Sequence, residues 1–195
     1  MTDRAALTPS PIRPEVAGEF LRGRRSVDQF TAEVPDEALV RDAVEAARWA
    51  PNHHLTQPWR FYLVGPQTRS EIIELNARLV AERKNAEVAD AKRQRWQGMP
   101  GWLAVTCAQS DDPITAREDF AACACAIQNL TLYLHSAGVA SKWISGEVTR
   151  HADLPRILAY DATVEYCIGI VWYGYPKRRP RSQRAPIDGI MLSRP

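Results

Sequence analysis

A predicted helix ends in the stretch Ala50-Pro51-Asn52-His53-His54-Leu55-Thr56-Gln57-Pro58-Trp59, which leads into an apolar strand over residues 60–64. Because the residue before a proline avoids the α region, Pro51 ends the helix and the polar turn that follows is rigid. A second segment, Arg24-Arg25-Ser26, offers two guanidinium groups and a hydroxyl, which suit a phosphate or a polyol chain. Together the two segments predict a site for a phosphorylated, planar cofactor.

Helical and strand patterns extend on both sides of this stretch. Helices are predicted over residues 15–24, 36–49, 68–95, 113–137 and 152–160, and strands over 60–64, 102–108, 139–143 and 164–173. The last strand is apolar on both faces, which predicts a central place in a sheet. The order gives no regular βαβ series, and no GxGxxG or GxxxxGK[ST] loop occurs. The predicted fold class is therefore α+β, a small sheet covered by helices on both faces.

Length and composition restrict the classes of protein that this chain can be. Its 195 residues predict a single domain, over residues 15–195. Residues 1–14 contain Pro9, Pro11 and Pro14 and little periodicity, which predicts an N-terminal arm. A net charge of +2 argues against a nucleic-acid partner. We find no signal core and no apolar run long enough to cross a membrane. The four cysteines form no CxxC pair and are expected to be buried thiols in a reducing, cytoplasmic compartment.

The predicted helix over residues 113–137 is apolar on most sides from Phe120 onward, so we expect it to be buried nearly all round. Its stripe from Cys123 through Ile127, Leu130 and Leu134 suits packing against the sheet. The opposite face is then free to meet a second copy, which predicts a symmetric homodimer.

Four segments, in order along the chain, resemble the nitroreductase family of FMN-dependent oxidoreductases, in the form of its compact bacterial subgroup. They are Arg24-Arg25-Ser26-Val27 with Phe30 and Pro35, Ala50-Pro51 through Gln57-Pro58-Trp59, residues 138–146, and residues 168–176 with Arg184 before Ala185-Pro186. The resemblance implies a small mixed sheet flanked by helices, an interlocked homodimer, and an active site at the dimer interface.

The resemblance also implies a set of FMN-binding residues. They are Arg24, Arg25, Ser26, Trp49, His53, Gln57, Trp143, Ile144, Ser145, Gly146 and Arg184. In the family the residues that correspond to Arg24, Arg25 and Ser26 bind the ribityl chain and phosphate, and the arginine that corresponds to Arg184 binds the phosphate. The segment 143–146 lies along the isoalloxazine ring, with backbone N–H groups aimed at N5 and O4.

Several of these residues also have simpler interpretations. His53 either donates to the flavin or is a surface histidine, and Trp49 and Trp143 either pack beside the cofactor or belong to the core. The tail over residues 177–184, which includes Arg184, could instead be solvated. Leu55 stands where many family members carry Asn, which removes one polar contact.

The activity that the resemblance implies is an NAD(P)H oxidoreductase with NADH or NADPH as reductant. Nitroaromatics, quinones or related small acceptors would be reduced by ping-pong hydride transfer through flavin N5, so no catalytic protein residue is expected. A metal is not expected, because adjacent His53 and His54 should point apart. The alternatives are a same-fold flavoenzyme (a dehydrogenase, a dehalogenase or a flavin-degrading enzyme) and a non-enzymatic FMN-binding dimer.

Overall fold

The computed structural model describes residues 12–194, so residues 1–11 of the predicted arm lie outside the described residues. The helices are α1 (Pro14–Gly23), α2 (Glu37–Ala47), α3 (Pro66–Arg83), α4 (Ala86–Gln97), α5 (Pro113–Ser136) and α6 (Leu154–Leu158). The strands are β1 (Trp59–Leu63), β2 (Gly101–Ala108), β3 (Ala140–Ile144) and β4 (Glu165–Gly174). None of the helices in residues 12–194 has the length and apolar character needed to cross a membrane.

The strands form one antiparallel sheet in the order β1-β2-β4-β3. β4 lies between β2 and β3, which confirms its predicted central position. The resemblance implies a mixed sheet, but the four strands pair antiparallel. Within the described part of the chain, parallel pairing is limited to an isolated bridge between Ser26 and Ser141. That bridge holds the segment after α1 beside β3, where Val27 N donates to Ser141 O at 3.0 Å.

Helices cover both faces of the sheet, as predicted. Alternate residues of a strand face opposite sides, so Val171 and Tyr173 pack under α2 and α5, whereas Ile170 and Trp172 pack under α3, α4 and α6. On the second face Trp96 and Trp172 meet edge to face, with ring centroids 5.1 Å apart. Each helical layer thus buries an apolar stripe against a single sheet.

The single helix predicted over residues 68–95 is wrong. The chain breaks after Arg83, where Lys84 leaves the helical region at φ −126° and ψ −90°. Asn85 then caps α4, because its side-chain oxygen accepts a 2.9 Å hydrogen bond from Val88 N. Asparagine is a preferred N-cap residue, so Asn85 marks a helix start within the charged residues 68–95.

Helix α5 is the longest helix of the described residues. Its predicted inner stripe is confirmed, since Cys123, Ile127, Leu130 and Leu134 are all buried against the sheet side. The expectation of burial nearly all round does not hold for the single chain, because Phe120 remains 43% exposed and Cys125, on the side opposite the inner stripe, is exposed as well.

Candidate functional site

The adjacent Arg24 and Arg25 meet Arg184, which lies far along the chain, beside the end of α1. The helix ends at Gly23, and Arg24 adopts an extended conformation that turns the chain towards β3. Burial lowers the pKa of Arg24, and the positive charges of Arg25 and Arg184 lower it further. The structure therefore brings the predicted residues of the first segment and of the tail to one place.

These side chains line a pocket of about 400 Å³. Its lining consists of Leu21, Arg22, Arg24, Arg25, Gln128, Ser182 and Arg184. Four guanidinium groups around one cavity repel one another unless an anion lies between them, and planar guanidinium groups match the geometry of a phosphate. Sequence reasoning missed Arg22 as a lining residue, although it lies one helical turn before Arg25. Ser26 is exposed, pairs with Ser141 and does not line this pocket.

The segment Trp143–Gly146 follows the edge strand β3 to its end. The Trp143 side chain is 37% exposed, so it is not a core residue of the single chain. Its ring N–H donates a hydrogen bond to Ile168 O at 3.2 Å, which fixes the position of the ring. A Cβ atom on Gly169 would come within 2.0 Å of that indole nitrogen, so only glycine allows the ring to cross β4 here. The next residues, Ser145 and Gly146, form an exposed turn.

The turn between α2 and β1 has an unusual backbone. His54, Leu55 and Gln57 all have positive φ values of 56°, 53° and 47°. Left-handed conformations are costly for residues other than glycine, and they persist where the surroundings enforce them, often at functional sites. Leu55 is also 77% exposed, so core packing does not explain its conformation.

Asn52 and Thr56 hold this turn in place. The Asn52 side chain accepts from Gln57 N at 2.6 Å and donates to Thr56 Oγ1 at 2.9 Å. Thr56 Oγ1 donates in turn to Asp119 Oδ1 of α5 at 2.5 Å. Asp119 is buried, so the strained turn is attached to the core by a polar chain.

His53 is exposed and is fixed by two neighbours. Its Nδ1 lies 2.8 Å from Glu118 Oε2, a partner that sequence reasoning did not identify. The expectation that His53 and His54 point apart is wrong, because their rings stack with centroids 3.9 Å apart. The left-handed backbone of His54 turns both side chains to the same side.

A second pocket, of about 310 Å³, lies at this turn. It is lined by Arg48, Trp49, Ala50, Asn52, Leu55, Gln57 and Trp59. Trp49 is 75% exposed, which excludes the interpretation of this residue as core within one chain. The turn contacts α5 at Asp119 and the arginine pocket contacts α5 at Gln128, and these two residues are about 14 Å apart along the helix axis.

The remaining titratable clusters offer no metal site in residues 12–194, where no group of three or more His, Cys, Asp or Glu residues is suitably placed. Cys107, Cys123 and Cys167 are buried free thiols, as expected. Cys125 is exposed, which corrects the prediction for that residue. It lies two positions after Cys123 and therefore on the opposite side of α5.

The fold and the site together define an α+β protein with one pocket lined by arginines and a second pocket at the strained turn after α2. The family model for the nitroreductase family matches residues 21–175. The chain therefore belongs to the nitroreductase family, as its four segments predicted.

Individual relatives agree with this assignment. YfhC of Bacillus subtilis (strain 168), whose name refers to an NAD(P)H nitroreductase, is 28% identical over 177 residues, covering 88% of this chain and 91% of YfhC. The crystal structure of a nitroreductase-like family protein from Bacillus cereus has a TM-score of 0.79 at 23% identity, covering 95% of this chain and 98% of that one. The FMN- and NADPH-dependent nitroreductase NfnB from Sphigopyxis sp. strain HMH has a TM-score of 0.73 at 21% identity, covering 92% and 99%. At these identities the two solved structures establish the shared fold.

Proposed function

We propose that this chain is an FMN-dependent NAD(P)H oxidoreductase that reduces nitroaromatics, quinones or related small acceptors in a ping-pong cycle. The observation that carries the proposal is the arginine pocket, in which Arg24, Arg25 and Arg184 converge without an acidic side chain among the lining residues. A cofactor phosphate would relieve the repulsion between these charges. NfnB, which shares the fold, is FMN- and NADPH-dependent according to its name.

The residues present fit FMN at both ends. Arg24, Arg25 and Arg184 would hold the phosphate, with Arg22 as a fourth donor and Ser26 near the ribityl chain. The segment Trp143–Gly146 would lie along the ring. When bound, FMN supplies the two-electron chemistry, because it takes up hydride from a nicotinamide and passes it to a second substrate.

The pocket at the turn would receive the substrates. Trp49 and Leu55 present apolar surface to solvent, whereas Gln57 and Asn52 add polar groups to the lining. A flat aromatic acceptor fits this combination of an apolar rim and few polar contacts. His53 lies beside this pocket, with its second ring nitrogen, Nε2, unengaged by Glu118. No side chain has to act as nucleophile or general acid, so the protein would bind, orient and exclude water.

A homodimer is part of the proposal. Helix α5 exposes Phe120, Cys125 and Tyr133, and the segment after β4 exposes Ile187, Ile190, Met191 and Leu192. Apolar surface of this extent is typical of a face that is covered in the assembly. In a two-fold dimer packed through α5, each site takes its arginine pocket from one chain and its Trp49–His53 turn from either chain. We also propose a cytoplasmic location, consistent with the free thiols.

Anaerobic titration of the FMN-loaded protein tests this function. Addition of NADPH or NADH should bleach the flavin absorption band, and a quinone or a nitroaromatic added afterwards should restore it. Double-reciprocal plots of the steady-state rates should be parallel, as a ping-pong cycle requires. Bound FMN that neither nucleotide reduces would contradict the proposed activity and favour the non-enzymatic FMN-binding dimer.

A further inference from the structure

The turn Ser145-Gly146 is held from one side by the two residues Thr149 and Arg150. Gly146 O accepts two hydrogen bonds from Thr149, one from its backbone N at 3.0 Å and one from its Oγ1 at 2.8 Å. Ser145 O accepts a 2.9 Å hydrogen bond from the Arg150 guanidinium. Two successive carbonyl groups are therefore tied back towards the same short segment.

The amide groups of the same turn are left without protein partners. Among the described residues, the N–H groups of Ser145, Gly146 and Glu147 donate to no acceptor. In a trans peptide the N–H group points opposite to the C=O group of the residue before it. Fixing Ser145 O therefore directs the Gly146 N–H away from Arg150, and fixing Gly146 O directs the Glu147 N–H away from Thr149.

We propose that Thr149 and Arg150 are positioning residues that aim the Gly146 and Glu147 amides at the polar edge of the FMN ring. This inference rests on the proposed function, because it requires the ring to lie along Trp143–Gly146. Donors fixed before charge develops stabilise that charge better than mobile ones, since they need no reorganisation. The two residues thus act on the electronics of the ring through the backbone of another segment.

The environment of each side chain agrees with this role. Thr149 is only 4% exposed, and its hydroxyl is used on the turn rather than on solvent. Arg150 is exposed and makes no ion pair with an acidic side chain in residues 12–194, so its recorded contact is the Ser145 carbonyl. Glu147 is anchored separately by Arg83 of α3, at 3.2 Å. The segment that follows the turn is therefore itself fixed to α3.

The test compares Thr149→Val and Arg150→Met with two matched controls. Thr131→Val removes a buried hydroxyl that donates to the carbonyl three residues earlier, at Gln128, which is the pattern of Thr149. Arg156→Met removes an exposed arginine that pairs with Glu71 at 3.6 Å and does not touch the turn. Thr149→Ser keeps the hydroxyl and serves as the rescue variant. Circular dichroism and thermal unfolding establish that each variant is folded.

Three readouts decide the matter. In Thr149→Val and Arg150→Met the midpoint potential of bound FMN should become more negative, because less fixed amides stabilise the reduced ring less. Affinity for FMN should fall about three- to tenfold for each lost hydrogen bond. Backbone relaxation of the Gly146 and Glu147 amides, measured by NMR without cofactor, should show increased motion. Thr149→Ser and both controls should match the wild type.

The inference would be overturned if the wild type binds FMN and Thr149→Val and Arg150→Met have the same FMN potential and affinity as the wild type. The proposed function would then remain intact. Unchanged amide motion in the cofactor-free variants would overturn the inference as well. Wild-type protein that fails to bind FMN would instead overturn the proposed function from which the inference starts.

Discussion

Thr56 Oγ1 donates a 2.5 Å hydrogen bond to Asp119 Oδ1, which joins the strained turn after α2 to the buried side of α5. Asn52 extends the link by donating to Thr56 and accepting from Gln57 N. The left-handed residues between them are therefore held by contacts with the core rather than by their own preferences. These hydrogen bonds therefore also fix the shape of the pocket beside Trp49.

Thr56→Val should destabilise the protein and loosen the turn. The substitution keeps the side-chain shape but leaves the buried Asp119 carboxylate without its hydroxyl donor, which costs about 1–3 kcal/mol. Urea unfolding measures the loss. Thr163→Val is the matched control, because Thr163 donates to Asp161 in the same way on an exposed loop. Equal losses in the two variants would contradict the coupling of the turn to the core.

Gly169→Ala should disturb the end of β3 directly. Its Cβ would lie 2.0 Å from the Trp143 ring nitrogen and 2.6 Å from Ile144 O, so the tryptophan and the strand must both move. Overpacking of this kind costs about 1–3 kcal/mol. Thermal unfolding and FMN retention should both decrease, whereas Gly65→Ala, with nothing within 4 Å of its added Cβ, should leave both unchanged. A Gly169→Ala variant with wild-type stability would be inconsistent with the crossing of Trp143 over β4.

Asp28 should contribute a pH-dependent part of the stability. The hydrogen bond from Lys142 lowers the pKa of Asp28 more than partial burial raises it, and Arg95 lowers it further. A carboxylate with a lowered folded-state pKa stabilises the fold above its unfolded pKa of about 4 and loses that effect as pH falls. Because the group is partly exposed, solvent screening keeps the contribution below about 1 kcal/mol.

The comparison of wild type with Asp28→Asn between pH 7 and pH 3 checks this expectation. The difference in unfolding free energy should be largest at pH 7 and should shrink below about pH 4. Asp42→Asn, at an exposed carboxylate of α2, is the control. A difference that stays constant across the range would argue against the ion pair with Lys142.

Phe120→Asp should weaken the dimer. The substitution places a charge at an exposed apolar position of α5, the helix through which the proposed dimer packs. Analytical ultracentrifugation should show a shift towards monomer, accompanied by weaker FMN binding because the site is shared. Val34→Asp, at a more exposed position in the loop before α2, is the control and should sediment like the wild type. An unchanged dimer in Phe120→Asp would place the interface elsewhere.

The local elements of the fold were largely predictable from the sequence. The second helix ends at Ala47, before Pro51, and β4 lies centrally, as the pattern indicated. The exception was the run over residues 68–95, where charge density concealed the capping role of Asn85. A cap depends on one side chain and is easily missed in a helical average.

The candidate site was predictable by residue type but not by contact. The family resemblance named Arg24, Arg25 and Arg184, whereas their approach to one another required the tertiary structure. Glu118, the partner of His53, gave no local signal because it lies on another element. The stacking of the two histidines depended on a left-handed backbone that the side chains themselves do not favour.

The central claim is that the arginine pocket holds FMN. The most direct measurement is the visible absorption spectrum of the protein after FMN addition and desalting, for the wild type and for Arg24→Ala combined with Arg25→Ala. We expect flavin bands in the wild type and their loss in the double variant, because two of the arginines that would donate hydrogen bonds to the phosphate are absent. A colourless wild-type protein, or a double variant that retains FMN fully, would contradict it.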